Sequence, residues 1–323
     1  MAARVFHAQA QAQALAQAAP PSKLGAWLRL GRPQFWAIFC VGMHVTGVLL
    51  AGTGFRPGRF IAAQVFIWAV NAMTLYANEY FDLAADRANA TPTRWTGGSR
   101  ILVRGVLAPR VALYTALALG AFALGWLVVL AVGVTPEATG PVLLCGALCA
   151  LLGWSYVGPP LRLHYRGLGE LTATLIIIVI VPLLGALAQS GRLHLEIVPV
   201  LAPLALAHIA RMLVMNIPDR EGDAAVGKRT LVVLLGGERA VRLHNLLLLL
   251  AHALQLVLWG LGLAPRAALL MLLLVPLSVA QARGLGRGEW RDPAAFSTLA
   301  TRATIHLNLT ALALLVGAAW GSP

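Results

Sequence analysis

The chain has 323 residues, of which 59% are hydrophobic and only 11% charged, with a mean hydropathy of +0.77. Soluble proteins carry about 25% charged residues, so a soluble globular domain is excluded and an integral membrane protein is indicated. The net charge of +13 includes no basic run interleaved with aromatics, which excludes a nucleic-acid partner and points to orientation in a lipid bilayer.

Residues 1–30 read as an N-terminal tail, disordered or loosely helical, and its Ala/Gln run from Ala8 to Ala19 is too polar for a signal peptide. Residues 31–323 read as one transmembrane domain. The expected class is all-α, a polytopic membrane helix bundle of about nine transmembrane helices with a cytoplasmic loop cap. Apolar runs of roughly 20 residues favour helices over the short alternating segments of a barrel. In order, the runs are Phe35–Gly52, Phe60–Asn78, Val111–Val132, Val142–Tyr156, Leu168–Ala188, Val198–Met215, Val241–Leu261, Ala267–Ala280 and Phe296–Trp320. The fourth, sixth and eighth are short and are expected to extend into their flanks.

With the N-terminus in the cytoplasm, the outer loops hold Arg56, Arg59, Arg192 and Arg266, and every other Lys and Arg falls inside. That bias predicts a multi-pass protein of the inner (plasma) membrane with its polar loops on the cytoplasmic face. Cys40, Cys145 and Cys149 all lie in apolar runs and read as small buried hydrophobes.

Two of the cytoplasmic connections are acidic in a chain that has few acids. Asn78-Glu79-Tyr80-Phe81-Asp82 to Asp86 follows the second run, and Asn216-Ile217-Pro218-Asp219-Arg220-Glu221-Gly222-Asp223 follows the sixth. Together they hold six of the 12 Asp and Glu residues. Carboxylates at a membrane edge are costly unless they pair or bind a cation. At about 100° per residue, Asp82 and Asp86 lie about 40° and 80° from Asn78, and Asp219 and Asp223 about 60° and 20° on the other side of Asn216. Each amide thus shares a helix face with two carboxylates. Such oxygens suit Mg²⁺, which bridges to substrate phosphates. No Walker loop is present, so the phosphate is expected on metal and cations instead. Arg94 and Arg100 follow the first cluster, Lys228 and Arg229 the second, and Arg162 and Arg166 lie in the connection between them. The alternative is a solvated loop in which the acids simply pair with arginines.

With these motifs the chain resembles the UbiA superfamily of intramembrane prenyltransferases. The stretches that carry the resemblance are Asn78 to Asp86, Gly97-Gly98-Ser99-Arg100, Tyr156 to Pro160, Tyr165 to Glu170, and Asp219 to Asp223 followed by Gly227-Lys228-Arg229-Thr230-Leu231. Tyr165 to Glu170 and Gly227 to Leu231 are most similar to the 1,4-dihydroxy-2-naphthoate polyprenyltransferases of menaquinone synthesis. The resemblance implies that Asn78, Asp82, Asp86, Asn216, Asp219 and Asp223 hold Mg²⁺ on the diphosphate of a polyprenyl donor. An electron-rich aromatic acceptor would then attack the allylic cation. Tyr156, Tyr165 and Tyr80 are candidates to stabilise that cation through their ring faces, or are interface anchors instead.

Other acceptors stay open: 4-hydroxybenzoate, homogentisate, a sugar phosphate or a lipid, as does cyclisation of the donor. A transporter of a phosphorylated lipid is the rival of a different class. It would place charge at the bilayer midplane, whereas here charge gathers at one face. His44, His252 and His306 read as helix–helix hydrogen-bonding residues. His208, Arg211 and Asn71 read either as cavity residues or as structural ones, and Glu170 as a helix-dipole partner or a catalytic acid. Most tryptophans, such as Trp27, Trp36 and Trp320, fit interface belts.

Overall fold

The computed structural model describes residues 21–33, 37–90, 92–93 and 96–321. Arg94 and Trp36 lie outside the described residues, as does the tail up to residue 20. The tail does not extend to residue 30: Lys23–Leu30 forms helix α1, capped by the Ser22 hydroxyl, with Ala26 and Leu30 fully buried. Its Trp27 indole donates to Thr115 Oγ1 at 3.0 Å, and its Trp27 carbonyl accepts from Tyr76 at 2.7 Å. Trp27 is therefore a packing residue that ties α1 to the bundle.

A π-helical turn, Ala37–Gly42, leads into α2 (Met43–Leu50). Then follow α3 (Pro57–Phe81), the short α4 (Leu83–Ala88), α5 (Pro109–Val132), α6 (Pro136–Ser155) and α7 (Gly169–Ser190). Next are α8 (Val198–Asn216), the short α9 (Arg220–Ala225) and α10 (Leu231–Leu235), and α11 (Gly237–Gly260). The chain closes with α12 (Pro265–Leu272), α13 (Val275–Gly286) and α14 (Pro293–Gly321). No strand occurs among the described residues. Proline opens α3, α5, α6 and α12, where its missing N–H costs no helical bond.

Each of the nine expected runs has a helical counterpart, but they are not nine equal spans. Seven helices are long and apolar enough to cross a membrane. The eighth run is a pair, α12 and α13, bent by 45°. In the first, the described apolar helix is shorter than a full span. The fourth and sixth runs lengthen into their flanks as expected.

α7 and α8 are the most buried spans and α5 the least, so α5 sits at the lipid-facing rim with Phe122, Leu124 and Val128 exposed. Close approach needs small residues. A Cβ on Gly47 would lie 2.0 Å from the Pro182 carbonyl oxygen, so glycine lets α2 lie directly on α7. The buried histidines link helices as expected: His44 meets Gln64 at 2.9 Å, and Ser278 bridges His252 (2.8 Å) and His306 (2.6 Å).

The two ends of the bundle differ. At one, Arg56 and Arg59 donate to the carbonyls of Gln189 and Gly133, neutralising the C-terminal ends of α7 and α5. At the other, α4, α9, α10 and a 3₁₀ turn at Leu163–Arg166 form a cap over the spans, with α4 packed against α9.

Candidate active site

A cavity opens beneath this cap. Its deep walls are apolar, including Ile67, Val70, Ile176, Ile177 and Val181. Asn78, Asp82, Asp86, Asn216, Asp219, Asp223 and Lys228 line its mouth. Helical-wheel geometry is not what brings the six Asn and Asp together. α3 ends at Phe81, with Asp82 as its C-cap, and α8 ends at Asn216, and the backbone turns at each point before continuing as α4 or α9. The turns fold both acidic segments inward over the cavity.

Lys228 joins the two clusters. Its Nζ lies 2.8 Å from Asp82 Oδ2 and 3.4 Å from Asp223 Oδ1, with all three side chains almost fully buried. Burial drives the Asp82 carboxyl upward, but the Lys228 ammonium more than reverses this and holds it below the ordinary carboxylate range. Asp86 has no such contact, and burial pushes it up to about 8. Burial likewise raises Asp223 to about 7 and lifts Asp219. The mouth therefore gathers more buried carboxyl groups than Lys228 contacts directly.

Other groups fix these side chains. Asn89 donates to Asp219 Oδ1. Asn216 Nδ2 donates to Glu170 Oε1 at 2.8 Å, and the same oxygen accepts from Leu231 N–H at 3.2 Å. Glu170 thus orients the amide from behind and does not line the cavity. Gly98 has φ +74°, and a Cβ there would meet Asp86 Oδ2 at 2.1 Å, so only glycine lets this loop close on the carboxylate.

Tyr156 lines the cavity with its ring stacked on His164 at 4.6 Å, and burial raises its hydroxyl well above the usual phenol range. Tyr165 stands behind the wall: its hydroxyl donates to the Phe81 carbonyl at 3.0 Å, and its ring lies 3.7 Å from the Arg162 guanidinium. Tyr80 packs edge-on against Phe81 at 5.0 Å.

Four of the expected phosphate cations do not reach the cavity wall. Arg100 donates to the Asp86 carbonyl, Arg162 stacks on Tyr165, Arg166 reaches the Pro160 carbonyl at 3.4 Å, and Arg229 is exposed. Arg100, Arg162 and Arg166 are each engaged by a backbone carbonyl or a ring away from the cavity lining. Arg32 was not singled out by sequence and does line the cavity. It donates to Glu79 Oε1 through Nε at 2.9 Å. The available signal was weak: Glu79, an acid within an apolar run, calls for a cation, and Arg32 lies two residues beyond the end of α1. His164, Asn89, Thr96, Gly97 and Gly98 also line the cavity.

No three His, Cys, Asp or Glu side chains among the described residues form a ready metal cage. Mg²⁺ does not need one, because it keeps waters and shares its coordination between one or two carboxylates and substrate phosphate. Asp82 Oδ1 and Asp223 Oδ2 are buried without hydrogen-bond partners. These hard, unsatisfied oxygens fit a divalent cation that arrives with a phosphate group.

Fold and site define an integral membrane protein with an apolar cavity closed by a carboxylate-and-lysine mouth. Residues 38–305 match the UbiA prenyltransferase family, and the chain belongs to it, a family of prenyl-transferring enzymes. It is 30% identical over 285 residues to the digeranylgeranylglyceryl phosphate synthase of Halobacterium salinarum, covering 87% of this chain and 91% of that one. It is 28% identical over 177 residues to the 1,4-dihydroxy-2-naphthoate octaprenyltransferase of Bacillus subtilis, a match spanning 55% of this chain and 54% of that one. The fold also matches a UbiA homologue from Archaeoglobus fulgidus solved with DMAPP and Mg²⁺, with TM-score 0.59 and 15% identity over 89% of this chain and 98% of the other.

Proposed function

We propose that the protein transfers a polyprenyl chain from a polyprenyl diphosphate to an aromatic acceptor in an Mg²⁺-dependent reaction, with 1,4-dihydroxy-2-naphthoate as the acceptor. The observation that carries this is the convergence of Asn78, Asp82, Asp86, Asn216, Asp219, Asp223 and Lys228 at the mouth of an apolar cavity. The prenyl tail lies among Ile67, Val70, Ile176 and Ile177, and the diphosphate lies at the mouth. When bound by the Asn and Asp oxygens, Mg²⁺ supplies charge neutralisation for the diphosphate.

The chain's own part is electrostatic and steric. The Lys228 ammonium, already charged between Asp82 and Asp223, is placed to donate to the departing pyrophosphate. Burial keeps the Tyr156 phenol protonated at the wall. Its ring is positioned to stabilise the allylic cation. Apolar walls keep water from that cation until the acceptor ring attacks and releases its proton. The mouth faces the cytoplasm, following the arginine bias.

A second reading, with a prenylglyceryl phosphate as acceptor, is favoured by the near full-length similarity to the Halobacterium salinarum synthase. The deciding experiment gives the full chain in liposomes a labelled polyprenyl diphosphate, Mg²⁺ and both acceptors separately. Prenylated naphthoate supports the first reading, and a prenylated glyceryl phosphate the second. Absence of any product or of pyrophosphate release sinks both. Asp82→Asn and Asp219→Asn are expected to remove at least about 100-fold of turnover, as loss of charge-stabilising groups does elsewhere.

A further inference from the structure

Prenyl transfer leaves one proton to place. The acceptor that bonds to C1 of the prenyl chain becomes a strong acid, and a group beside it must take its hydrogen. Asp82, Asp86, Asp219 and Asp223 line the cavity at its mouth, where the proposed reading commits them to metal and diphosphate. His208 lines it too, but its Nδ1 already meets Thr174 Oγ1 at 2.8 Å.

His164 lines the same cavity and is 5% exposed. Both of its ring nitrogens are buried, and neither has a hydrogen-bond partner within the protein. A buried polar atom left unpaired is costly, so such a ring calls for a polar group on a ligand. The ring is also held in place. The His164 backbone N–H donates to the Tyr156 carbonyl at 2.8 Å, and the imidazole stacks on the Tyr156 ring at 4.6 Å. At the start of α7, a Cβ on Gly169 would lie 2.3 Å from the imidazole, so only glycine leaves room for it.

The imidazole feels the charges of both Lys228 and Asp82, which places it at the level of the mouth. Burial, with the Lys228 charge, lowers its pKa to about 3, so the ring is neutral and its lone pair open at neutral pH. A neutral ring does not oppose the allylic cation, and a weak base suffices for a strongly acidic proton. With the tail in the deep apolar part and the diphosphate at the mouth, C1 of the donor lies at the Tyr156 ring on which His164 is stacked.

Resting on the prenyl-transfer reading, we infer that His164 is the general base of the reaction. One imidazole nitrogen accepts a hydrogen bond from the acceptor's hydroxyl, phenolic in a naphthoate and alcoholic in a glyceryl phosphate. The acceptor's electron pair forms the new bond to C1, and the C1–O bond to the diphosphate breaks with its pair staying on the pyrophosphate. The hydroxyl proton moves to His164 and then to the departing pyrophosphate. In the phenolic case this leaves the neutral ketone form of the ring.

The test uses the full chain in nanodiscs, with His164→Gln and His164→Ala. Each is given labelled polyprenyl diphosphate, Mg²⁺ and whichever of 1,4-dihydroxy-2-naphthoate and geranylgeranylglyceryl phosphate the wild type prenylates. His164→Gln is expected to lower kcat at least about 100-fold, the low end of what a positioned base contributes. Mg²⁺-dependent binding of the donor should be unchanged. In His164→Ala, added imidazole should restore turnover. Pyrrole, of the same size and with an N–H but no basic lone pair, should not. If His164→Ala does not fold, the split between kcat and donor binding in His164→Gln decides.

Near-wild-type kcat in His164→Gln overturns the inference and leaves the transfer reading intact. So does equal rescue by pyrrole, which assigns the ring to packing, or a parallel loss of donor binding, which assigns it to the diphosphate. Binding is measured separately by calorimetry without oxygen, for 1,4-dihydroxy-2-naphthoate against 2-naphthoate and for the glyceryl phosphate lipid against its O-methyl ether. If wild type transfers to neither acceptor but prefers a free hydroxyl, and His164→Gln abolishes the preference, the transfer reading has failed and the hydroxyl site at His164 stands. If there is neither transfer nor preference, the His164 site has failed as well.

Discussion

Lys228 Nζ lies 2.8 Å from Asp82 Oδ2, joining residues 146 positions apart across two buried side chains. This contact, with its 3.4 Å companion to Asp223, fastens the α9 end of the site to the α3 end. Removing one member of a buried ion pair leaves an uncompensated charge and costs about 3–5 kcal/mol. Lys228→Met is therefore expected to lower the thermal midpoint of the purified protein by several degrees. Because a divalent cation can take over the neutralising role, added Mg²⁺ should restore more stability to Lys228→Met than to wild type. Turnover should remain low even then, since the ammonium proposed to meet the pyrophosphate is gone. Thermal denaturation with and without Mg²⁺ checks this, and an unchanged midpoint in both conditions counts against it.

Gly98 sits over Asp86 with φ +74°, and its missing side chain leaves the space the carboxylate occupies. Gly98→Ala adds left-handed strain of about 1–2 kcal/mol and pushes Asp86 aside. The damage should appear as weaker donor and Mg²⁺ binding, with fold and expression close to wild type. Gly105 has a comparable φ of +68° but open space around it, so Gly105→Ala is the matched control. Equal loss of donor binding in both variants would show that backbone strain alone explains the effect.

Glu79 is 2% exposed and accepts from Arg32 Nε (2.9 Å), Ser99 N–H (2.9 Å) and the Ser99 hydroxyl (2.6 Å). It ties the end of α1 and the Gly97–Arg100 loop to α3, and so places Arg32 at the cavity. Glu79→Gln replaces an acceptor oxygen by an NH₂ group that faces donors. Losing a hydrogen bond to a charged group costs about 1.5–3 kcal/mol, so stability should fall by that order. Donor KM should rise as well, because Arg32 is released. Arg32→Gln should reproduce the KM effect with a smaller stability loss; unaltered donor KM in both variants would remove Arg32 from the site.

The parts legible in sequence follow from simple costs. Long apolar runs need a bilayer, and acids at span ends need cations, so the spans and the six Asn and Asp residues could be read directly. Lys228 could be named as a candidate cation but not placed between Asp82 and Asp223, because that depends on how the turns after α3 and α8 fold. The arginines misled for a related reason. Arg100, Arg162 and Arg166 bear the right charge, but their backbone partners and the Tyr165 ring engage them away from the cavity lining. Charge type is visible in a sequence, whereas the direction of a long side chain on an irregular loop is not. Arg32 and Glu170 show the converse: each acts through a partner far along the chain, Glu79 or Asn216.

His164 gives the site an acid sensitivity with a definite sign. Its ring is buried against Tyr156 and Gly169, where a Cβ on the glycine would lie 2.3 Å from the ring. Burial, reinforced by the nearby Lys228 charge, lowers its pKa to about 3. In the unfolded chain the imidazole titrates near its ordinary value of about 6.5. Between those values the unfolded state binds a proton that the folded state refuses, so stability falls as pH drops below about 6.5 and continues to fall toward 3. Above about 6.5 both states are neutral and His164 contributes no pH dependence. His164→Gln cannot take up the proton. Its midpoint should be lower overall because the stack on Tyr156 is lost, but the decline between pH 6.5 and 4.5 should be shallower than in wild type. Thermal denaturation across that range measures the slope directly. Parallel curves for the two proteins would assign the acid limb to other groups and leave His164 with a packing role alone.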